Sequence, residues 1–269
     1  MLQSPQSSPS CDDSMRAQGL RMPRLCVSAL SGGGGKTLLS LGLTHALAAR
    51  GHAVKAFKKG PDYIDAAWLA MASGRPATNL DPYMLGADQL KALFVHAMYK
   101  TQAQTGCPEV LGVIEGNRGL FDGMDVAGSC STAELARMLA CPIILSINCT
   151  KMTRTTAALV HGMTTFEPGL QFAGVVLNQV GTARHEDLLR KVIEEYTDVR
   201  VLGGIGVVET HEPVNTQALQ RYFVQHGVWI RPFNRLVYLM PPYITPAEDV
   251  AQLCTVVAGA LRAGAHLMP

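Results

Sequence analysis

The stretch LCVSALSGGGGKT, residues 25–37, decides the fold. A short run suited to a buried strand passes into four glycines, and a Lys-Thr pair then opens a helical pattern. In a phosphate-binding loop, glycines let backbone N–H groups point inward and the helix N-terminus adds partial positive charge. The sequence therefore predicts that a nucleoside triphosphate and its Mg²⁺ are bound by Gly32, Gly33, Gly34, Gly35, Lys36 and Thr37.

The loop departs from the common form G-x-x-x-x-G-K-[ST] at one position. Leu30 stands where that form has its first glycine. Partition and septum-site ATPases carry a further lysine at this position, six residues before the main one, so the sequence disfavours that subclass. A glycine-rich turn with an incidental Lys-Thr pair is the alternative interpretation.

Further along the chain, short apolar runs alternate with longer helical patterns. Strands are predicted at residues 25–29, 53–57, 110–115, 143–147 and 172–177. Helices are predicted at residues 36–50, 87–104, 132–139, 153–163 and 185–195. This alternation predicts an α/β fold, a P-loop doubly wound parallel sheet.

The chain divides into three predicted regions. Residues 1–22 are polar and are predicted to be a disordered tail, residues 23–200 to be the P-loop domain, and residues 201–269 to be a small C-terminal α+β unit. The boundary is placed at residue 201 because the alternation of strands and helices changes there.

Composition excludes several classes of protein. The 269 residues carry 23 basic and 21 acidic side chains, a net charge of +2, which does not favour nucleic-acid binding. No apolar run approaches the length of a membrane span. Seven scattered cysteines show neither a disulfide framework nor a zinc-binding spacing. We therefore expect a cytoplasmic protein without a nucleic-acid or membrane partner.

Charged residues follow the second predicted strand. The segment KKGPDYID places Lys58, Asp62 and Asp65 at the carboxyl end of the sheet, where ligands of doubly wound folds bind. The two carboxylates suit Mg²⁺, and Lys58 suits an anionic substrate. A turn with solvated acids is the alternative.

The third predicted strand also ends in an acid. Glu115 lies beside the phosphate loop and is predicted to be a metal ligand, with Asp122 further toward substrate. Asn178 ends a later strand, where it could bind a base edge or make an ordinary turn.

The motifs GGGGKT, FKKGPDYID, GRPATNLD, EGNRGLFDG, STAELA, AALVHG and GVVLNQVGTARHEDLL follow one another between residues 24 and 200. In this order they resemble the amidoligase domain of cobyrinic acid a,c-diamide synthase, a family similar to dethiobiotin synthetase. The resemblance implies that Mg-ATP phosphorylates a carboxylate and that ammonia then displaces phosphate to give an amide. The acceptors it implies are the a and c side chains of cobyrinate, a corrinoid.

The resemblance also implies roles for particular residues. Triphosphate and metal would bind to Lys36 and Thr37, Mg²⁺ also to Asp62 and Glu115, and adenine to Asn178. The acceptor or its acyl phosphate would face Tyr63, Asp65 and Asp122. The sequence departs from the family at Gly32, where the family has serine, and at Asn117-Arg118, where the family has a more apolar pair. These departures bear on acceptor specificity.

Members of that family continue into a glutamine amidotransferase domain, for which this chain has no room. The expected nitrogen source is therefore ammonia or a separate glutaminase, and a homodimer is possible. The alternatives are a dethiobiotin-synthetase-like carboxylase of biotin biosynthesis and an ATP-binding module without full activity.

The last segment carries a second resemblance. The chain from about residue 201 is similar to the C-terminal end of 7,8-diaminononanoate aminotransferase. This similarity lies in the segment that runs from VLGGIGVVE through HEPVNTQALQRYFVQHGVWIRPFNRLVYLMPPY. The lysine that binds pyridoxal phosphate in that family lies upstream of this region, so no transaminase activity is expected.

Overall fold

A computed structural model describes residues 21–206, 208–209, 214–228, 236–237 and 247–265. The predicted tail lies outside the described residues as far as residue 20. The described part contains a seven-stranded sheet with the order β3-β2-β4-β1-β5-β6-β7, in which every pairing is parallel. Its strands are β1 (Arg24–Ala29), β2 (Ala53–Lys59), β3 (Thr78–Leu80), β4 (Val110–Glu115), β5 (Ile143–Asn148), β6 (Phe172–Val180) and β7 (Val201–Gly206).

Helices connect consecutive strands of this sheet. They are α1 (Lys36–Ala49), α2 (Tyr63–Ser73), α3 (Ala87–Thr105), α4 (Thr132–Met138), α5 (Thr155–Thr165) and α6 (Ala183–Tyr196). After β7 in the chain come α7 (Thr216–Gln225), α8 (Ala247–Arg262) and an antiparallel pair formed by β8 (Val208–Glu209) and β9 (Leu236–Val237).

Neighbouring residues of β2 show that helices cover both faces of the sheet. Ala56 packs with Leu41 of α1 and Leu69 of α2. The next residue, Phe57, points to the other face, where its ring lies 4.8 Å from that of Phe94 on α3. Side chains alternate across a strand, so one apolar strand contacts two helical layers. The α/β doubly wound prediction is confirmed.

Three elements differ from the sequence-based expectation. Helix α2 and the three-residue strand β3 were not predicted. Strand β7 pairs in parallel with β6, so the main sheet continues six residues past the predicted boundary at residue 200. After it, α7 and α8 share a separate buried cluster that includes Leu219, Phe223 and Ala260.

Among the described residues, no helix is both long enough and apolar enough to cross a membrane.

Candidate functional site

The phosphate loop follows β1, which lies between β4 and β5 in the sheet. Gly35 precedes α1 with a φ of 87°, and a Cβ added to it would lie 2.1 Å from Asn178 Nδ2. Only glycine fits this conformation and this close approach. No side chain caps the helix, so its first backbone N–H groups are suited to an anion, and the predicted binding of a triphosphate there stays a prediction.

Lys36 is folded back over the loop. Its Nζ donates a hydrogen bond of 3.0 Å to the carbonyl oxygen of Ser31, and the residue is 7% exposed. Burial, and then the positive charge of Lys58, lower the pKa of Lys36. A phosphate group would offset both effects, which fits the predicted contact of Lys36 with the triphosphate.

Four predicted site residues form one hydrogen-bonded network. Glu115 Oε1 accepts from Thr37 Oγ1 at 2.6 Å and from Lys58 Nζ at 3.0 Å. Lys58 Nζ also donates to Asp65 Oδ2 at 2.6 Å. The structure thus joins the start of α1, the ends of β2 and β4, and the first turn of α2.

Burial and mutual contact shift the pKa values of the charged groups in this network. Burial lowers the pKa of Lys58, but the charges and hydrogen bonds of Glu115 and Asp65 outweigh it and raise that pKa above the usual value. Burial raises the pKa of Glu115, and Lys58 and Thr37 act in the opposite direction. Lys58 is therefore held as a cation between two carboxylates.

One carboxylate oxygen in this network has no partner. Glu115 Oε2 is buried and makes no hydrogen bond in the described part of the chain. A buried, unsatisfied carboxylate oxygen beside a threonine hydroxyl suits a hard cation such as Mg²⁺. Within the described ranges, no three His, Cys, Asp or Glu residues are grouped to hold a metal alone, so other ligands would come from phosphates and water.

Asp62 makes a different contact. Its Oδ1 accepts from the backbone N–H groups of Ile64 and Asp65, so it caps the N-terminus of α2. The neighbouring Tyr63 is 79% exposed at the same edge of the sheet. Roles for Asp62 in metal binding and for Tyr63 in acceptor binding stay predictions.

Asp122 shapes the loop that follows β4. Its Oδ2 accepts from the backbone N–H of Gly119 at 2.8 Å, and its charge acts on Lys36. A Cβ on Gly119 would lie 2.4 Å from the carbonyl oxygen of Leu30. The two loops therefore pack backbone to backbone, and Leu30 takes part through its carbonyl group.

The other side of the phosphate loop is held by neutral side chains. The carbonyl oxygen of Gly34 accepts from Ser146 Oγ at 2.7 Å and from Asn178 Nδ2 at 3.3 Å. Asn178 is 4% exposed, and its predicted contact with adenine stays a prediction. Sequence reasoning missed Ser146, although a serine near the end of an apolar strand beside the phosphate loop could have indicated it.

The sequence profile of the CobQ/CobB/MinD/ParA nucleotide binding domain family matches residues 25–220. Cobyrinate a,c-diamide synthase from Magnetococcus marinus is 44% identical over 186 residues, which are 69% of this chain and 38% of that protein. Hydrogenobyrinate a,c-diamide synthase from Streptomyces coelicolor is 41% identical over 199 residues, 74% of this chain and 38% of that protein.

Among solved structures, FtsY from Mycoplasma mycoides has a TM-score of 0.46 and 13% identity, covering 70% of this chain and 61% of that one. The chain spans well under half the length of the curated relatives it matches. The profile, in contrast, covers most of the chain, including the phosphate loop and, apart from Arg24, all strands of the main sheet. The protein therefore belongs to the CobQ/CobB/MinD/ParA nucleotide binding domain family.

Proposed function

We propose that this protein is an ATP-dependent carbon–nitrogen ligase that amidates carboxylates of a corrinoid, the a and c side chains of cobyrinate, in cobalamin biosynthesis. The observation that carries the proposal is the network in which Lys58 links Asp65 to Glu115 beside Lys36 and Thr37. The names of relatives that are 41% to 44% identical support the choice of acceptor.

In the first step, a carboxylate oxygen of the acceptor attacks the γ-phosphorus of ATP. The bond from that phosphorus to the bridging oxygen breaks, so ADP leaves and an acyl phosphate forms. Lys36 would neutralise charge on the transferred phosphoryl group, and Lys58, which already binds Asp65 and Glu115, would add positive charge beside the attacking carboxylate. Backbone N–H groups of the phosphate loop would bind the phosphates that stay with ADP.

Mg²⁺ fits the unpartnered oxygen of Glu115 and the hydroxyl of Thr37, and when bound it neutralises phosphate charge during transfer. The sequence adds Asp62 as a further ligand, through the carboxylate oxygen that does not cap α2. Asp65 and Asp122 would then act on the acceptor side.

In the second step, ammonia attacks the acyl carbon, loses a proton and expels phosphate, which leaves the amide. We propose that the nitrogen arrives as free ammonia or from a separate glutaminase. Asp122, which is exposed beside the phosphate loop, would accept that proton, while Asp65, held by Lys58, would act on the acceptor.

The test is ATP turnover by the whole chain with ammonia and cobyrinate, compared with diaminononanoate and bicarbonate. Turnover and a corrinoid amide are expected only with the first pair. Turnover with the diamine alone would favour a dethiobiotin-synthetase-like carboxylase. Nucleotide binding without turnover in either mixture would favour an ATP-binding module.

We further propose a homodimer formed through α2. Its Ile64, Trp68 and Met71 are 56%, 48% and 65% exposed, and they lie on one side of the helix. Asp65 is the only charged residue of this helix, and it is paired with Lys58. Exposed apolar helix faces of this kind mark interaction sites. Trp68→Lys is expected to shift the mass in light scattering from dimer to monomer, whereas unchanged mass would contradict the assignment.

We also propose that a separate unit follows the sheet and corresponds to the segment that resembles 7,8-diaminononanoate aminotransferase. The buried cluster shared by α7 and α8 supports this division, and the pairing of β7 with β6 supports a boundary beyond β7. Limited proteolysis of the whole chain should cut between β7 and α7 and release a nucleotide-binding fragment. Cleavage first within the main sheet would contradict it.

A further inference from the structure

The last residue of β2 is a buried lysine that makes no ion pair within the described part of the chain. Lys59 is 8% exposed and ends the strand at the carboxyl edge of the sheet. It follows Lys58 and therefore points to the opposite face. No hydrogen bond or ion pair among the described residues involves its Nζ. Burying a charge without a partner costs free energy, so this position is suited to an anion that binds from outside.

A second cation lies in the loop after β4. Arg118 has a φ of 51°, a left-handed conformation that is costly for an arginine. Its backbone N–H donates to Asn117 Oδ1 at 2.9 Å, which supports this turn. The side chain is exposed and makes no hydrogen bond or ion pair in the part of the chain that the structure describes.

The segments that carry the two cations contact each other, because a Cβ added to Gly60, which follows Lys59, would lie 3.6 Å from Nδ2 of Asn117, which precedes Arg118. Burial lowers the pKa of Lys59, Asp81 and Cys130 raise it, and Arg118 lowers it again. Asp81 is partly engaged already, because its Oδ1 accepts from the backbone N–H of Tyr83 at 2.9 Å. Asp81, the carboxylate that acts on Lys59, is therefore partly occupied, while Arg118 adds a second positive charge.

We propose that Lys59 and Arg118 form a subsite for a carboxylate of the acceptor that is not reacting. The inference rests on the proposed function: an acceptor amidated at two side chains presents one carboxylate while the other reacts. Lys58 and Lys59 both lie at the carboxyl end of β2, so an acceptor that spans this edge of the sheet would present separate carboxylates to the two sites. In this proposal the pair Asn117-Arg118, where the sequence departs from the family that it resembles, contributes to acceptor specificity.

The test measures cobyrinate binding to the whole chain in the presence of Mg²⁺ and a non-hydrolysable ATP analogue, by titration of the corrin absorbance. Lys59→Met keeps the apolar stem, and Arg118→Met changes an exposed side chain that does not contribute to the core. The control is Lys191→Met, which removes a remote cation paired with Asp187 at 3.1 Å.

Each site variant is expected to raise the Kd for cobyrinate about tenfold, the size of a lost charged hydrogen bond. The Kd for the ATP analogue should not change, and in turnover KM for cobyrinate should rise more than kcat falls. The control should match the wild type in all four quantities.

A wild type that binds cobyrinate, with both site variants binding it equally well, would overturn the inference and leave the proposed function standing. Weaker binding of the ATP analogue, with unchanged binding of cobyrinate, would also overturn it, because the cations would then belong to the nucleotide site. A wild type that binds the analogue but not cobyrinate would overturn the proposed function, and the inference with it.

Discussion

The two sides of the phosphate loop are built from different chemistry. On the β2 and β4 side, Lys58, Asp65 and Glu115 form a charged and largely buried network. On the β5 and β6 side, Ser146 and Asn178 make neutral hydrogen bonds to one loop carbonyl. Burying a charged group costs much more free energy than burying a neutral group that is hydrogen-bonded. We therefore expect the charged side to serve the proposed reaction and the neutral side to hold the loop in shape.

The largest effect is expected at Lys36, which projects from the loop itself. Lys36→Ala should lower ATP turnover by about a hundredfold to a thousandfold, as does removal of one group that stabilises a transition state. Far-ultraviolet circular dichroism should be unchanged. Lys91→Ala, on the exposed surface of α3, is the control and should turn over normally. Unchanged phosphate release by Lys36→Ala would show that the loop is misassigned.

The charged side should also determine stability. Lys58→Met leaves Glu115 and Asp65 without their cation and should lower the free energy of unfolding by about 3 kcal/mol in urea at pH 7. The pKa of Lys58 is raised in the folded protein, so its contribution is complete below the usual lysine pKa. The difference from the wild type should shrink only as the pH rises through the raised value. A loss of free energy below about 1 kcal/mol would place the network among weak surface pairs.

Asp62 is expected to show a smaller effect that is confined to catalysis. Asn also caps helices, so Asp62→Asn should keep α2 while removing a negative charge. The fold-loss in turnover should be about ten times the fold-loss in nucleotide affinity, which is the size of effect seen for changes around metal ligands. Titration calorimetry and steady-state kinetics measure the two quantities, and equal losses in both would count against a role in metal binding.

The neutral side should show the smallest effect. Asn178→Ala and Ser146→Ala each remove one hydrogen bond to Gly34, worth about 1 kcal/mol, and each should weaken ATP binding about fivefold. They form a matched pair because both donate to the same oxygen. If Asn178 also contacts adenine, only its variant should lose preference for ATP over GTP. Equal preference in both variants would leave Asn178 as a loop support alone.

The sequence predicted the elements with strong patterns. The strand that leads into GGGGKT and the longer helices were predicted to within a few residues. Helix α2 was missed because its apolar side chains do not keep to one face: Leu69 is fully buried, while Ile64, Trp68 and Met71 are exposed. The cap at Asp62 and the left-handed Gly74 could have indicated its ends.

At the site, residue type and strand end predicted that Lys58, Asp65 and Glu115 would lie at the same edge of the sheet as the phosphate loop. They did not predict how the carboxylates divide their contacts. Asp62 and Asp65 are three residues apart, yet one caps a helix and the other binds Lys58. That division depends on the start of α2, which the sequence pattern did not indicate. The two donors to Gly34 depend on the order of the strands, which no local pattern contains.

The position of β1 in the sheet has a consequence for synthesis on the ribosome. Its partners are β4, where Arg24 lies beside Gly112, and β5, which comes later still. At elongation rates of about 5 to 20 residues per second, several seconds pass between the synthesis of the apolar strand β1 and that of β4, its first partner. Nascent chains will therefore expose this strand to chaperones, and slower translation of residues 30–110 will lengthen that exposure.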